Sequence, residues 1–315
     1  MLHIVFLDTD TLGSASLDQL KSHGELVTYP VTQPRQVMER IREADIVITN
    51  KVVINQESMQ AAPKLRLICV AATGTNNIDL EAARAKGITV ENAVGYSTQS
   101  VAQHTFAMLL YLLEQLNYFD RYVKSGGYTK SEIFTYFGHE YWQLADKRMG
   151  IIGLGAIGRE VAKIGTAFGM KIVYYSASSK SYPSEYQRIS LEDLLQTSDV
   201  VSIHAPLNEH TRNLIGYEQL CRMKPTAILL NVGRGGIVRE DGLKRALDEE
   251  RFFAAGLDVL ETEPMQPGHP LLSVKHPDRL LITPHIAWAS QEARRNLLEQ
   301  VGAHIQTFVQ NNQLT

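Results

Sequence analysis

Short apolar runs alternate with longer segments of helical periodicity along most of this chain. In its first hundred residues the runs HIVFLD (3–8), DIVITN (45–50) and LRLICVAA (65–72) are rich in β-branched residues, and helical patterns such as QVMERIREA lie between them. Strands that alternate with amphipathic helices are typical of βαβ units and a parallel sheet. The pattern therefore predicts a first α/β unit of roughly 100 residues.

The pattern changes at residue 97 and again at residue 149. Residues 97–126 form one long helical pattern that Ser97 or Thr98 can cap, and an aromatic, irregular stretch at 127–143 follows it. A second βαβ series begins at 149 with MGIIGLG and continues through KIVYYS, VVSIHAP, AILLNVG, AAGLDVL and LLITPHI. A last helix is expected at 290–310. The chain is thus predicted to be α/β, with two doubly wound parallel sheets.

Composition and charge narrow the classes of function. The chain has 315 residues, a formal net charge of −3 and two cysteines. This charge gives no broad positive field for nucleic acid or for an anionic membrane. No stretch has the length and hydropathy of a membrane span, and the N-terminus lacks the pattern of a signal peptide. The widely spaced cysteines suggest neither a disulfide framework nor a metal site, so we expect a cytoplasmic protein without a metal.

The glycines of GLGAIG have the G-x-G-x-x-G spacing of a dinucleotide site. Gly153 suits a tight turn, Gly155 lets the backbone approach a pyrophosphate, and Gly158 permits close contact between helix and strand. The spacing alone is equally compatible with a plain glycine-rich turn. Its context favours a dinucleotide, because an apolar strand precedes it and a helical pattern follows it. The helix N-terminus then offers free N–H groups to the phosphates.

The next strand end leaves the choice of dinucleotide open. NAD sites usually carry an Asp or Glu there to bind the ribose 2′-OH, but this chain has SASSK at 176–180. Ser176, Ser178 and Lys180 can accommodate a 2′-phosphate, which a carboxylate would repel. The alternative is a polar loop without selectivity. Both NAD(H) and NADP(H) are therefore possible cofactors.

Three later stretches combine a strand-like run with an unusual loop: NVGRGGIVRE (231–240), GLDVLETEP (256–264) and ITPHIAWAS (282–290). They bring Arg234, Glu263 and His285 to strand ends, where α/β sheets place their ligands. Taken singly, each residue also has an ordinary structural interpretation.

Together these stretches resemble one family. GLGAIG, HAPLNEHTRNLIG, NVGRGGIV, GLDVLETEP and TPHIAWAS are similar to motifs of the D-isomer-specific 2-hydroxyacid dehydrogenases, in particular the glycerate dehydrogenase/hydroxypyruvate reductase branch. The resemblance implies a Rossmann cofactor domain (101–290) inserted into a flavodoxin-like substrate domain (1–100 and 291–315). It also implies a homodimer joined through the cofactor domains, for which the aromatic stretch 127–143 is suited.

The resemblance further implies a catalytic trio of Arg234, Glu263 and His285. A guanidinium is a planar, permanently charged fork for the carboxylate and carbonyl oxygen of a 2-oxo acid. His285 would donate a proton to the carbonyl oxygen as hydride arrives from the nicotinamide, because imidazole exchanges protons near neutral pH. Glu263 would orient the ring and stabilise its charged form.

The remaining predicted contacts also come from the resemblance. Beyond the three glycines and the strand-end residues Ser176, Ser178 and Lys180, the residues implied in cofactor binding are Thr105, Ala156, Ile157, Pro206, Val232, Gly233 and Asp258. The residues implied in substrate binding, besides Arg234 and His285, are Lys51, Thr73, Gly74, Thr75 and Trp288. The implied substrate is a small 2-oxo acid such as hydroxypyruvate or glyoxylate.

Other functions on the same fold stay open at this point. Formate dehydrogenases carry Gln in place of Glu263, so the Glu favours hydroxyacid chemistry. Phosphite oxidation can use the same trio. The C-terminal-binding-protein co-repressors retain the cofactor site but act as binding platforms. One departure from the family is Gln103, where a Glu often precedes the histidine at 104.

Overall fold

A computed structural model describes residues 1–178 and 184–312 and divides the chain into two compact units. One unit combines both chain ends, Met1–Ser97 and Trp288–Thr315, and is called the terminal unit below. The other comprises Thr98–Ala287 and is called the central unit. The chain therefore leaves the first unit and returns to it after completing the second.

The terminal unit is built on a parallel sheet of five strands. They are β1 (His3–Phe6), β2 (Glu25–Thr28), β3 (Ile46–Thr49), β4 (Leu67–Val70) and β5 (Thr89–Asn92), in the order β2-β1-β3-β4-β5. The helices are α1 (Asp18–Lys21), α2 (Val37–Ile41), α3 (Gln56–Gln60), α4 (Leu80–Ala85) and the C-terminal α11 (Gln291–Asn311). This order is that of a flavodoxin-like sheet, whose connections reverse direction beside β1.

Alternating residues of the central strands bury opposite faces of this sheet. Val5, Val47 and Ile68 pack with α2 to α4 on one face, while Phe6 and Ile48 pack with α11 on the other. Both faces are covered, which explains why these strands are continuous apolar runs in the sequence.

The central unit contains a parallel sheet of seven strands. They are β6 (Arg148–Ile152), β7 (Lys171–Tyr175), β8 (Gln187–Arg188), β9 (Val200–Ile203), β10 (Ile228–Asn231), β11 (Ala254–Leu257) and β12 (Leu280–Ile282). Their order is β12-β11-β10-β9-β6-β7-β8, so the connections reverse direction between β6 and β9. The helices are α5 (Thr98–Glu114), α6 (Leu116–Lys124), α7 (Ala156–Ala167), α8 (Leu191–Thr197), α9 (Tyr217–Leu220) and α10 (Glu240–Asp248). This is Rossmann topology with one further strand.

These two sheets confirm the predicted fold class, with two differences in detail. The helical pattern at 97–126 forms two helices instead of one, because Gln115 adopts φ +52° and its side-chain amide donates to the carbonyl of Leu112. The two-residue strand β8 was not predicted, since it is exposed and has no apolar run. Within the described residues, no helix is long and apolar enough to cross a membrane.

Candidate active site

The glycine-rich turn between β6 and α7 has the geometry of a phosphate cradle. Gly153 has φ +95°, and a Cβ there would lie 2.7 Å from the backbone nitrogen of Ala205. A Cβ on Gly158 would lie 2.2 Å from the carbonyl oxygen of Gly153. Gly155, in contrast, faces open space and caps the N-terminus of α7. The turn is therefore closed on its protein side and open where a pyrophosphate would approach the helix N-terminus.

Two of the predicted ribose contacts lie directly after β7. Ser176 is half-buried and Ser178 is exposed, and the backbone N–H of Ser178 donates to Ser176 Oγ over 3.3 Å. Lys180, the third predicted contact, lies outside the described residues. The segment after β7 thus carries the hydroxyls of Ser176 and Ser178 at the position where NAD sites usually have a carboxylate.

The turn after β10 presents Arg234 at the surface. The side-chain amide of Asn231 donates to the Arg234 carbonyl over 3.0 Å, and its oxygen accepts the N–H of Gly233 over 3.2 Å. A Cβ on Gly235 would lie 1.8 Å from the carbonyl oxygen of Leu260. The Arg234 turn and the loop that begins at Leu260 therefore touch backbone to backbone, and only glycine permits this contact.

Glu263 and His285 form the predicted pair. Glu263 Oε2 lies 2.7 Å from His285 Nδ1, and Glu263 Oε1 accepts the backbone N–H of Leu260 over 2.9 Å. An ionised carboxylate only accepts hydrogen bonds, so Nδ1 carries the hydrogen of this contact. Nε2 is then the nitrogen through which the ring can exchange a proton with a ligand. The side chain of His285 is 25% exposed and that of Glu263 is 34% exposed, so a small molecule can reach the pair.

His285 has an unusual backbone conformation that its neighbours hold in place. Its φ is +56°, a left-handed value that costs a non-glycine residue of order 1 kcal/mol or more. Buried Asp258 accepts three hydrogen bonds from the same segment: from Thr283 Oγ1 (2.6 Å) and from the N–H groups of Ile286 (2.9 Å) and Ala287 (2.9 Å). Asp258 therefore determines the path of the chain on both sides of His285.

Helix α5 supplies two further supports for this segment. Ser100 Oγ donates to the carbonyl of Ala287 over 2.6 Å, and His104 Nε2 lies 3.1 Å from Thr283 Oγ1. The single hydroxyl hydrogen of Thr283 is engaged with Asp258, so His104 Nε2 is the donor in its contact. Neither Ser100 nor His104 was predicted from the sequence to have a role in the site. Both residues lie far from His285 along the chain, so no local sequence pattern indicates these contacts.

The other predicted cofactor contacts of the central unit differ in their exposure. Pro206 and Ala156 are exposed and Ile157 is half-buried, whereas Val232 and Thr105 are buried. The Thr105 hydroxyl donates to the Val101 carbonyl over 2.8 Å within α5. Contacts of these residues with a cofactor stay predictions.

His204, in the motif that follows β9, has a buried imidazole. Its Nε2 lies 2.8 Å from Ser202 Oγ, while its Nδ1 is shielded from solvent and has no hydrogen-bond partner among the described residues. The residue as a whole is half-buried, but desolvation of the ring lowers the pKa of His204 to about 3. The ring is therefore neutral at physiological pH and places no charge beside the glycine-rich turn.

In the terminal unit, Lys51 lies on a loop that a second buried aspartate organises. Asp8, just after β1, accepts the backbone N–H groups of Asn50, Lys51 and Val52, with the shortest distance 2.6 Å to Lys51. Lys51 and Val52 line a cavity of about 520 Å³ at the carboxyl edge of β1 to β3. This is where the strand order reverses, the usual ligand position in such sheets.

The remaining predicted substrate contacts also lie in the terminal unit. Thr73, Gly74 and Thr75 form the loop after β4, with the Thr73 carbonyl accepting from the Asn92 amide over 2.7 Å. Trp288 packs edge to face on Tyr96, with ring centroids 6.2 Å apart. Among the described residues, no group of three or more His, Cys, Asp or Glu side chains is placed to hold a metal ion.

Comparisons with known proteins agree with this arrangement. Residues 106–287 match the family described as D-isomer specific 2-hydroxyacid dehydrogenase, NAD binding domain. The chain is 38% identical to a glycerate dehydrogenase of Methylorubrum extorquens, over 97% of this chain and 96% of that protein. It is 36% identical to a hydroxypyruvate reductase of Blautia hydrogenotrophica, over 99% and 98% of the two chains. The structure of a D-lactate dehydrogenase from Aquifex aeolicus, complexed with NAD and lactic acid, superposes with a TM-score of 0.83 at 29% identity, covering 99% and 95% of the two chains.

Proposed function

Because this chain belongs to the D-isomer-specific 2-hydroxyacid dehydrogenases and is an NAD(P)-dependent oxidoreductase, we propose that it reduces a small 2-oxo acid to the D-2-hydroxy acid. Hydroxypyruvate and glyoxylate are the proposed substrates, and the reaction is reversible. The observation that carries the proposal is the 2.7 Å contact between Glu263 and His285 at the edge of the cofactor-binding sheet.

The dinucleotide fits the central unit because the glycine-rich turn leaves open space beside Gly155 at the N-terminus of α7. Gly153, Gly155 and Gly158, with the first turn of α7, would hold its pyrophosphate. When bound, NAD(P)H supplies the hydride that reduces the carbonyl carbon of the substrate.

The protein's own residues supply the proton and the orientation. His285 donates the proton from Nε2 to the carbonyl oxygen, while Glu263 holds Nδ1 and stabilises the imidazolium before transfer. In the oxidation direction the same nitrogen accepts the proton from the substrate hydroxyl. Asp258 and α5 keep the His285 segment in its left-handed conformation, which fixes the direction of Nε2.

Arg234 binds and polarises the 2-oxo acid in this proposal. Its guanidinium matches the two coplanar oxygens of a carboxylate and adjacent carbonyl, which the point charge of an ammonium cannot do. The backbone of Thr73, Gly74 and Thr75 and the side chains of Lys51 and Trp288 are the proposed contacts from the terminal unit.

We also propose that the enzyme is a cytoplasmic homodimer joined through an aromatic surface of the central unit. This surface consists of stacked rings, with Tyr122 and Tyr136 centroids 3.8 Å apart, and exposed side chains around them: Ile133, Phe134, Phe137 and Tyr141. A cluster of exposed apolar side chains of this kind supports a protein interface. Light scattering tests it: a monomeric mass at micromolar concentration would contradict the dimer.

A panel of substrates tests the proposed reaction. The oxidation of NADH and of NADPH is followed with hydroxypyruvate, glyoxylate, pyruvate and bulkier 2-oxo acids, and kcat/KM is compared. We expect the highest kcat/KM for hydroxypyruvate or glyoxylate. A clear preference for a bulky 2-oxo acid would overturn the substrate assignment while leaving the oxidoreductase class intact.

A further inference from the structure

The short edge strand β8 places an arginine beside the predicted ribose position. Arg188 pairs in register with Tyr174 of β7, two residues before Ser176. Its side chain is exposed, and its Nη2 donates to two backbone carbonyls, those of Ser176 (3.0 Å) and Ser178 (2.9 Å). The guanidinium is therefore tied to the chain segment that follows β7.

This position decides which dinucleotide a Rossmann sheet accepts, because the ribose that carries the 2′ substituent lies at the end of the second strand. A carboxylate there binds a free 2′-OH and repels a 2′-phosphate. Ser176, Ala177 and Ser178 carry no such charge. The cation beside this strand end is Arg188 of β8, twelve residues after Ser176 in the chain.

We propose that Arg188 binds the 2′-phosphate of NADP(H) and gives the enzyme its capacity to use the phosphorylated cofactor. Both backbone contacts use Nη2, so Nε–H and the two hydrogens of Nη1 are not needed for them and can each donate singly to a phosphate oxygen. A phosphomonoester carries a charge of about −1.5 to −2 near pH 7, which strengthens these bonds. The two carbonyl contacts also hold the side chain in advance, so less rotamer freedom is lost on binding.

The inference rests on the dinucleotide site and concerns only which dinucleotide binds there. It is therefore tested by cofactor binding in the absence of any 2-oxo acid, and failure of the proposed substrate would leave the test unaffected. The dissociation constants of NADPH and NADH are measured by fluorescence for the parent enzyme, Arg188→Gln and Arg188→Lys. A matched control is Arg222→Gln, which removes another exposed arginine of the same unit, one paired with Glu192.

For Arg188→Gln we expect NADPH to bind about 10- to 100-fold more weakly, as for the loss of hydrogen bonds to a charged group, with NADH changed less than about threefold. Arg188→Lys keeps the charge but loses the two carbonyl contacts that hold the guanidinium in place, so it should lose an intermediate part of the NADPH affinity. Arg222→Gln should leave the ratio of the two constants unchanged.

Two results would overturn the proposal. Unchanged NADPH affinity in Arg188→Gln would show that the guanidinium does not contact the phosphate. An equal weakening of NADPH and NADH would show that Arg188 only supports the backbone after β7. A competition experiment with adenosine 2′-monophosphate adds an independent readout, since its displacement of NADPH should require Arg188.

Discussion

Replacing Asp258 by Asn removes one oxygen from the group that holds the His285 segment. In the parent, Oδ1 accepts from Thr283 Oγ1 and from the N–H of Ile286, and Oδ2 accepts the N–H of Ala287. Asn has nearly the same shape but only one acceptor oxygen. Its NH₂ group therefore faces the Ala287 N–H, and two donors oppose each other in a buried site.

The cost follows from these three bonds. Loss of one hydrogen bond to a buried charged group costs about 1.5–3 kcal/mol, and the other two bonds weaken as their acceptor becomes neutral. We expect a total destabilisation of about 2–5 kcal/mol, which lowers the melting temperature of a unit of this size by roughly 5–15 °C. The left-handed conformation of His285 also loses its support. Because a displacement of about 1 Å in a reacting group can lower the rate about 100-fold, we expect kcat to fall about 10- to 100-fold.

The assay compares melting temperature, kcat and the dissociation constant of NADPH. A matched control is Asp199→Asn at the amino end of β9 in the same sheet. The Asp199 carboxylate accepts from Arg148 N and Lys224 Nζ, each at 2.8 Å. That variant should lose stability but keep its kcat when folded. If Asp258→Asn keeps kcat and loses NADPH affinity instead, Asp258 contacts the cofactor directly and does not act by holding the His285 segment.

Three other substitutions test the roles of His285, Arg234 and His204. His285→Ala should bind NADPH normally while its turnover falls roughly 100-fold or more, as for a lost general acid; unchanged turnover would refute proton donation by His285. Arg234→Lys should raise the KM for the 2-oxo acid because one ammonium cannot replace the fork; normal saturation behaviour would contradict this role. The pKa of His204 is about 3 in the folded state, below the ordinary 6.5. Between pH 3 and pH 6.5 the unfolded state therefore binds more protons than the folded state, and the free energy of unfolding falls as the pH decreases. His204→Gln should reduce this loss of stability by up to about 1.4 kcal/mol per pH unit, measured from urea unfolding at pH 7 and pH 5. An equal loss of unfolding free energy in the parent and the variant would contradict a neutral, buried His204.

The fold was predictable because its signals are local. Strands such as HIVFLD and DIVITN are buried on both faces, and their continuous apolar residues mark them in the sequence. The glycine-rich turn was predictable for a similar reason, since the positive φ of Gly153 and the tight contact of Gly158 permit little other than glycine. The pairing of Glu263 with His285 followed from the family resemblance and not from spacing.

Features that depend on contacts between distant residues could not be predicted. Asp258 lies 29 residues from Ala287, and nothing in the sequence between them indicates their hydrogen bond. Arg188 lies on a strand too short and too exposed to have a hydrophobic pattern. One signal was available, however: Asp8 and Asp258 each directly follow a buried apolar run. A carboxylate at such a place requires partners, and the N–H groups of the loop after the neighbouring strand provide them, β3 for Asp8 and β12 for Asp258.

The most direct test of the proposed reaction is to identify the product formed from hydroxypyruvate by chiral chromatography, with NADPH or NADH supplied and the cofactor consumed measured in the same sample. We expect D-glycerate in a one-to-one ratio with the oxidised cofactor. Formation of the L-isomer by folded protein that binds the cofactor, or no oxidation of either cofactor with any 2-oxo acid, would contradict the proposed reaction.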